Sequence, residues 1–210
     1  NVLSFSERRQ LACLMLEDVL TALFNTTNLG GVLVASDDPD VNIIAAKFGA
    51  RHLKNYVDEG LSSALTRASK SLAEEGVKGV IAIPLDVPLL TSNDIKPVIA
   101  SIKNSPAVTL VPADRDLGTN LLAMSPPGII EYSYGKKSSV RHAMAARAIG
   151  IEPTLIRASR LVLDLDTPED LMRFLSVPSD TKTFRYLVER GLRDRLLAQG
   201  TNGLQVNAVG

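Results

Sequence analysis

Short apolar runs alternate with amphipathic stretches along most of the chain, and glycine or proline separates many of them. The apolar runs predict strands at 32–35, 80–83, 108–111, 120–124 and 161–165, and residues 51–55 are a further candidate strand. Apolar residues at helical spacing predict helices at 5–24, 41–48, 61–75, 92–102, 138–149, 168–175 and 183–197. Such alternation favours an α/β fold, a three-layer α/β/α sandwich with a mostly parallel sheet. We expect one domain over residues 1–210, with a C-terminal helix at about 180–200 and a loose tail at 201–210.

Two helix starts carry capping signals. Ser4 and Glu7 have the spacing of a capping box, in which each side chain binds the backbone N–H of the other residue. Thr167 is predicted to cap the helix that follows it, with Pro168 at the first helical position and Asp170 at the third. Capping accounts for Asp170, so we do not count it among the candidate site residues.

Composition narrows the function classes. The chain has 210 residues, of which 45% are hydrophobic and 22% charged, which suits one substantial buried core. Lys+Arg and Asp+Glu are both 23, so no basic field is available to recruit nucleic acid or an anionic membrane. No apolar run approaches the roughly 20 residues that span a bilayer, and no secretory signal opens the chain. We therefore expect a cytoplasmic protein without nucleic-acid or membrane partners.

The supply of soft metal ligands is small. Cys13 is the single cysteine, which rules out an intrachain disulfide, and the chain has only 2 histidines. A structural zinc site needs more ligands of these types. Any bound metal is therefore expected to be held by carboxylates, which favours Mg²⁺ or Mn²⁺.

Carboxylates follow two of the predicted strands, where ligands bind in open α/β sheets. Asp86 lies between Pro84 and Pro88, which stiffen the turn that presents it. Strand alternation places Asp164 and Asp166 on one face, where the two charges repel unless water or a cation lies between them. The ordinary explanations are a turn aspartate bonded to its own backbone and a solvated strand end. From these residues alone, both explanations stay open.

Two further segments have polar groups suited to an anion. Gly118 permits a tight turn beside Thr119 and Asn120, which offer short donors. The second segment combines small and basic residues at a predicted helix start, Gly135, Lys136, Lys137, Ser138 and Ser139. The ordinary explanation is a capped helix with solvated lysines. His142 falls inside this helix and is expected to pack, and no Ser-His-Asp or Cys-His arrangement is evident.

Four motifs taken together, PLDVPLL, GTN, YGKKSSVRHAMAARAIG and DLDTPEDL, resemble the phospholactate guanylyltransferase family of coenzyme F420 biosynthesis. Members of that family share the GT-A-like fold of the molybdenum-cofactor guanylyltransferases. The resemblance implies a homodimeric enzyme that transfers GMP from GTP to the phosphate of a small phospho-carboxylic acid and releases pyrophosphate. The implied acceptor is 2-phospholactate, phosphoenolpyruvate or 3-phosphoglycerate.

The resemblance also implies roles for particular residues. The family's Mg²⁺ ligands map onto Asp86, Asp164 and Asp166. Its contacts to the phosphorylated acceptor map onto Thr119, Gly135 and Ser138, with Asn120, Lys136 and Lys137 as expected helpers.

The sequence departs from the family pattern at two places. Relatives carry Gly-Leu-Asn where this chain has Gly60-Leu61-Ser62, so an amide contact is expected to be lost or replaced. Relatives also open with a strand and a basic loop that contacts the triphosphate, so an N-terminal strand is expected to be missing from a chain that begins at Asn1. Two alternatives follow: a molybdenum-cofactor guanylyl- or cytidylyltransferase of the same fold, or a degenerate, non-catalytic paralogue.

Overall fold

The computed structural model describes residues 2–53 and 60–204, with side chains up to residue 198. The helices within these ranges are α1 (Phe5–Phe24), α2 (Pro39–Phe48), α3 (Leu61–Glu74), α4 (Ser92–Ser101), α5 (Ser138–Ala148), α6 (Pro168–Leu175), α7 (Lys182–Glu189) and α8 (Leu192–Leu204). The strands are β1 (Leu33–Val34), β2 (Arg51–His52), β3 (Val80–Ala82), β4 (Ala107–Pro112), β5 (Thr119–Ser125) and β6 (Thr154–Leu155). None of the described helices is long and apolar enough to cross a membrane.

The strands form two sheets. β1 and β2 pair in parallel, and a larger sheet has the order β3-β5-β4-β6. In the larger sheet β5 is antiparallel to both β3 and β4, while β4 and β6 are parallel. Three of its four strands therefore point the same way. The expected α/β class, with a mostly common strand direction, is confirmed.

Strand β5 forms the centre of the core, and all of its residues are buried. Leu121 and Ala123 on one face pack in a cluster that includes residues of α1 and α4. Leu122 and Met124 on the other face pack in a cluster that includes residues of α3 and α5. Because successive side chains of a strand point to opposite faces, one apolar strand holds a helical layer on each side.

Both predicted capping boxes are confirmed. The N–H of Glu7 donates to Ser4 Oγ at 3.2 Å, and the N–H of Ser4 donates to Glu7 Oε2 at 2.7 Å. At α6 the N–H of Asp170 donates to Thr167 Oγ1 at 3.3 Å, and the N–H of Thr167 donates to Asp170 Oδ2 at 3.0 Å.

The C-terminal helix differs from the prediction. The single helix expected at 183–197 is two helices, α7 and α8, because Gly191 takes a left-handed conformation (φ 60°) and ends the first. The carboxylate of Asp18 on α1 accepts the N–H groups of Lys182 and Thr183, each at 2.8 Å, and so caps α7 from another helix. The predicted loose tail is wrong for residues 201–204, which belong to α8, and residues 205–210 lie outside the described part.

The strand predicted at 161–165 is also wrong. This segment forms no ladder and is held by isolated bonds, such as that from the N–H of Leu165 to the carbonyl of Asp86 at 3.1 Å. Its alternation persists, since Leu161 and Leu163 are buried. The edge position beside β4 is taken by β6, whose two residues, Thr154 and Leu155, are exposed and too few to show an alternating pattern. Of the strand predicted at 51–55, β2 covers the first two residues, and residues 54 and 55 lie outside the described ranges.

Candidate active site

The predicted site residues converge on one end of the larger sheet. β3 runs directly into the turn that carries Asp86. Because β5 is antiparallel to β3 with Ala82 opposite Leu122, β5 begins at this same end with Thr119. The hydrogen bond from Leu165 to the Asp86 carbonyl brings the segment 164–166 alongside.

The three aspartates at this end form a poorly compensated group of charges. Burial, together with the charges of Asp166 and Asp164, raises the pKa of Asp86 to about 6. Burial raises the pKa of Asp164 as well, and the charge of Asp166 adds to that effect. Asp86 Oδ1 is buried and has no hydrogen-bond partner in the described part of the chain. A buried carboxylate oxygen without a donor is costly, and a cation would remove that cost.

These aspartates do not form a closed metal cage. Within residues 2–53 and 60–204, no three Asp, Glu, His or Cys side chains are grouped so as to hold a metal as they stand. Mg²⁺, however, is commonly held by one or two carboxylates, and substrate phosphates and water supply its other ligands. The donor chemistry and the unpartnered Asp86 oxygen therefore fit a Mg²⁺ ion whose coordination the substrates complete.

Beside the aspartates, three side chains form a buried hydrogen-bond network. Thr119 Oγ1 lies 2.8 Å from Ser138 Oγ and 3.1 Å from His142 Nδ1. His142 Nε2 accepts the N–H of Ser133 at 2.8 Å, which assigns the ring proton to Nδ1, where it is donated to Thr119. Burial lowers the pKa of His142 to about 4, so the ring is neutral at pH 7. The packing role expected for His142 agrees with its complete burial.

The segment 133–138 contains Gly135 and Ser138, which are expected to contact the acceptor, and is called the acceptor loop for that expectation; hydrogen bonds hold it from two sides. The guanidinium of Arg141 donates to the Ser133 side chain at 2.7 Å, and to the carbonyls of Ser133 at 2.7 Å, Tyr134 at 3.1 Å and Lys136 at 2.5 Å. Ser62 Oγ accepts the N–H of Tyr134 at 3.0 Å. The contact expected to be lost or replaced at Ser62 is thus a hydrogen bond that holds this loop.

The helix start beside this loop is not an open anion site. The N–H groups of Lys137, Ser138 and Ser139 donate to the carbonyls of Asp116, Gly135 and Leu117 at 3.0, 3.0 and 3.1 Å. The free N–H groups expected at the start of α5 are therefore already used. Two N–H groups of the loop, those of Gly135 and Lys136, donate to no other described residue, and both residues are exposed.

Two side chains, those of Asn120 and Arg115, bind the segment 161–170 that carries Asp164 and Asp166. Asn120 Nδ2 donates to the carbonyl of Leu161 at 2.7 Å, so this buried amide holds the segment that leads to Asp164. Arg115 donates to Thr167 Oγ1 at 2.8 Å and pairs with Asp170 at 3.3 Å. The sequence analysis missed Arg115, because an arginine in a polar loop carries no signal for a partner more than fifty residues away.

Comparison with known proteins identifies a family of similar sequences. The family model described as "Guanylyl transferase CofC like" matches residues 1–205. A phosphoenolpyruvate guanylyltransferase of Rubrobacter xylanophilus is 34% identical over 79% of this chain and 80% of its own length. A 3-phospho-D-glycerate guanylyltransferase of Phenylobacterium zucineum is 32% identical over 94% of this chain and 91% of its own.

A solved structure supports the fold independently. A protein described as a nucleotide-diphospho-sugar transferase, from Desulfovibrio desulfuricans G20, superimposes with a TM-score of 0.68 over 90% of this chain and 84% of its own, at 16% identity. At that identity the likeness shows the nucleotidyltransferase-type fold alone.

Proposed function

Because the chain belongs to the CofC-like guanylyltransferase family, we propose that it transfers GMP from GTP to the phosphate of a small phospho-carboxylic acid in a Mg²⁺-dependent reaction. One observation carries the proposal. At one end of the larger sheet, carboxylates without neutralising partners lie beside a network of hydrogen-bonded hydroxyls. The carboxylates suit a cation, and the hydroxyls and unpaired N–H groups suit an anion.

On the acidic side, Asp86, Asp164 and Asp166 would hold Mg²⁺. The ion would supply neutralisation of the charge on the nucleotide and acceptor phosphates. The unpartnered Oδ1 of Asp86 is the strongest support for this role, since no described group of the protein satisfies it.

On the other side, Thr119, Gly135 and Ser138 would bind the acceptor. The Thr119 and Ser138 hydroxyls are already oriented by each other, and the N–H of Gly135 has no described partner. Lys136 and Lys137 are exposed beside it and would add positive charge. Asn120 acts indirectly, because its amide is bonded to the Leu161 carbonyl.

The transfer reaction requires no further catalytic group from the protein. A phosphate oxygen of the acid forms a bond to the α-phosphorus of GTP, the bond from that phosphorus to the bridging oxygen breaks, and pyrophosphate leaves. The attacking phosphate is already an anion, so no general base is needed. Positioning and charge neutralisation then supply most of the rate enhancement.

The proposal includes the setting of the reaction. We place the activity in coenzyme F420 biosynthesis, in the cytoplasm, with phosphoenolpyruvate, 2-phospholactate or 3-phosphoglycerate as acceptor. A homodimer is supported by exposed apolar side chains on α5 and β6, those of Val140, Met144 and Leu155. Sedimentation of the purified protein measures that state, and a monomer across the micromolar range would remove the homodimer from the proposal.

Pyrophosphate release tests the proposal directly. The protein with GTP, Mg²⁺ and phosphoenolpyruvate, 2-phospholactate or 3-phosphoglycerate should release pyrophosphate, and omission of the acid or addition of EDTA should stop it. Asp166→Ala should abolish release without unfolding the protein. An intact protein that releases no pyrophosphate with any of the three acids would refute the proposal, and near-normal turnover by Asp166→Ala would refute the metal assignment.

A further inference from the structure

The hydroxyl of Tyr134 is an unexplained polar group at the site. It is buried and has no hydrogen-bond partner among the described residues, a property that it shares there with Asp86 Oδ1. An unpartnered buried hydroxyl is destabilising, and native proteins leave few such groups. By contrast, the hydroxyl of the buried Tyr132, two residues earlier, lies 2.6 Å from Ser69 Oγ.

The Tyr134 ring has little freedom to turn away and find a partner. Its backbone N–H is bonded to Ser62 and its carbonyl to Arg141. Its ring packs edge-on against His142 with centroids 5.4 Å apart, and stacks on Tyr132 with centroids 6.3 Å apart. The direction of the hydroxyl is therefore set by contacts on the backbone and on both sides of the ring.

The position of Tyr134 identifies what the hydroxyl serves. The residue immediately precedes Gly135 in the acceptor loop, and its ring touches the histidine that binds Thr119. Burial is the main cause of the raised pKa of Tyr134, and the charges of Tyr132 and Asp86 add to it. Through His142 the Tyr134 ring is therefore packed against the network that contains Thr119 and Ser138.

We propose that the Tyr134 hydroxyl donates a hydrogen bond to an anionic oxygen of the bound phospho-acid, and so is a further acceptor-binding residue. This inference rests on the proposed function. A phenol that stays protonated is a donor, which suits a carboxylate or phosphate oxygen and does not suit a metal ion. Thr119 and Ser138, the other side chains proposed to bind the acceptor, are also buried, so a buried hydroxyl is common to all three.

A pair of matched variants tests the proposal. Tyr134→Phe removes the hydroxyl and keeps the ring with its contacts to His142 and Tyr132. Tyr132→Phe is the control, because it removes a hydroxyl from the adjacent stacked ring that is bonded to Ser69, away from the proposed acceptor contacts. For each protein, the KM of phosphoenolpyruvate, 2-phospholactate and 3-phosphoglycerate, the KM of GTP and the melting temperature are measured. Calorimetric titration with the best acceptor in the presence of Mg²⁺ gives its Kd.

The two variants should give opposite patterns. Tyr134→Phe should weaken acceptor binding about 10- to 100-fold, which is the value of a hydrogen bond to a charged group. The GTP KM should be unchanged, and the melting temperature should be unchanged or slightly raised. Tyr132→Phe should lower the melting temperature and leave acceptor binding unchanged.

Each other outcome has a defined meaning. An unchanged acceptor Kd in Tyr134→Phe, a lowered melting temperature alone, or an effect confined to GTP would overturn the role of Tyr134 while the proposed function stands. A wild-type protein that neither binds nor guanylylates any of the three acids would overturn both.

Discussion

The two sides of the site are built in opposite ways. On the side proposed to bind the acceptor, Arg141 donates hydrogen bonds to the loop, Ser62 and His142 accept N–H groups of the loop, and the hydroxyls of Thr119 and Ser138 bond to each other. On the acidic side, a buried oxygen of Asp86 has no partner among the described residues, and burial together with the charges of Asp166 and Asp164 raises the pKa of this carboxyl.

The two sides differ in whether the protein alone satisfies their polar groups or a bound ion is needed as well. The acceptor side is organised by the protein itself, so substrate binding there spends little free energy on ordering. The buried and mutually repelling carboxylates of the acidic side are destabilising, and a bound cation would offset that cost. Changes on the acidic side should therefore affect turnover strongly and favour folding, whereas changes on the acceptor side should affect binding.

The largest effect is expected from Asp86→Asn. Loss of one proposed Mg²⁺ ligand should lower turnover by at least about 100-fold, because metal coordination would supply several kcal/mol of charge stabilisation. In EDTA the same variant should be at least as stable as wild type, since a disfavoured charge is gone. Asp114→Asn is the control, since it removes an exposed carboxylate that pairs with Arg173, and it should leave turnover unchanged. An Asp86→Asn protein that is less stable than wild type but has normal turnover would contradict the expected effects of the acidic side on both turnover and folding.

The two sides should also respond to acid with opposite signs in metal-free protein. The pKa of Asp86 is raised from 3.8 to about 6, so the native state takes up this proton first and gains stability as the pH falls from 6 towards 4. The pKa of His142 is lowered from 6.5 to about 4, so the unfolded state takes up this proton first and the native state loses stability over that window.

Urea unfolding in EDTA at a series of pH values separates the two contributions. Relative to an Asp86→Asn/His142→Asn double variant, in which all other titrating groups are the same, Asp86→Asn keeps only the His142 contribution, and its free energy of unfolding should fall by roughly 3 kcal/mol between pH 6.5 and 4. Relative to the same double variant, His142→Asn keeps only the Asp86 contribution and should gain stability over this acidification. Parallel curves for the two variants would contradict the opposite-sign account.

An intermediate effect is expected from Arg141→Ala. It removes the side chain that holds four polar groups of the acceptor loop, so the KM of the acceptor should rise by about 10-fold. That rise corresponds to the binding free energy of about one or two ordinary hydrogen bonds. Arg147→Ala on the same helix is the control, because its described partner is the exposed Glu152. If both arginine variants raise the acceptor KM equally, the loop contacts of Arg141 do not matter for binding.

The smallest effect is expected from Ser62→Ala. One neutral hydrogen bond to the N–H of Tyr134 is lost, which should raise the acceptor KM about 3-fold, with turnover at saturation retained. Ser176→Ala, which removes a hydroxyl bonded to the Arg173 carbonyl on the exposed side of α6, should change neither value. A Ser62 variant with wild-type acceptor KM would show that Arg141 and His142 suffice to hold the loop.

Local rules predicted the helices well, because capping and apolar spacing are properties of neighbouring residues. Ser4, Glu7, Thr167 and Asp170 form the expected capping boxes. The strand assignment failed at 161–165 for the converse reason: alternation showed which side chains are buried, but the backbone partner of a strand lies elsewhere in the chain. That partner position beside β4 went to β6, whose exposed residues carry no pattern.

For the site, too, the sequence indicated the residues but not their contacts with distant parts of the chain. Residue types and motif order selected six candidates at one end of the sheet, and the fold brings their segments together. The polar contacts within the site were not predictable, since Arg141, Ser62 and Arg115 act through backbone and side-chain groups that only the tertiary structure places nearby. The N–H groups at the start of α5 were judged free for the same reason, although distant carbonyls accept two of them.

Product identification tests the central claim most directly. The protein is incubated with GTP, Mg²⁺ and equal concentrations of phosphoenolpyruvate, 2-phospholactate, 3-phosphoglycerate and molybdopterin, and the products are identified by mass spectrometry. We predict a GMP-capped diphosphate of one phospho-carboxylic acid, which is absent in EDTA and forms at least about 100-fold more slowly with Asp86→Asn. Formation of a guanylylated molybdopterin instead, or of no GMP-capped product at all, would contradict the account.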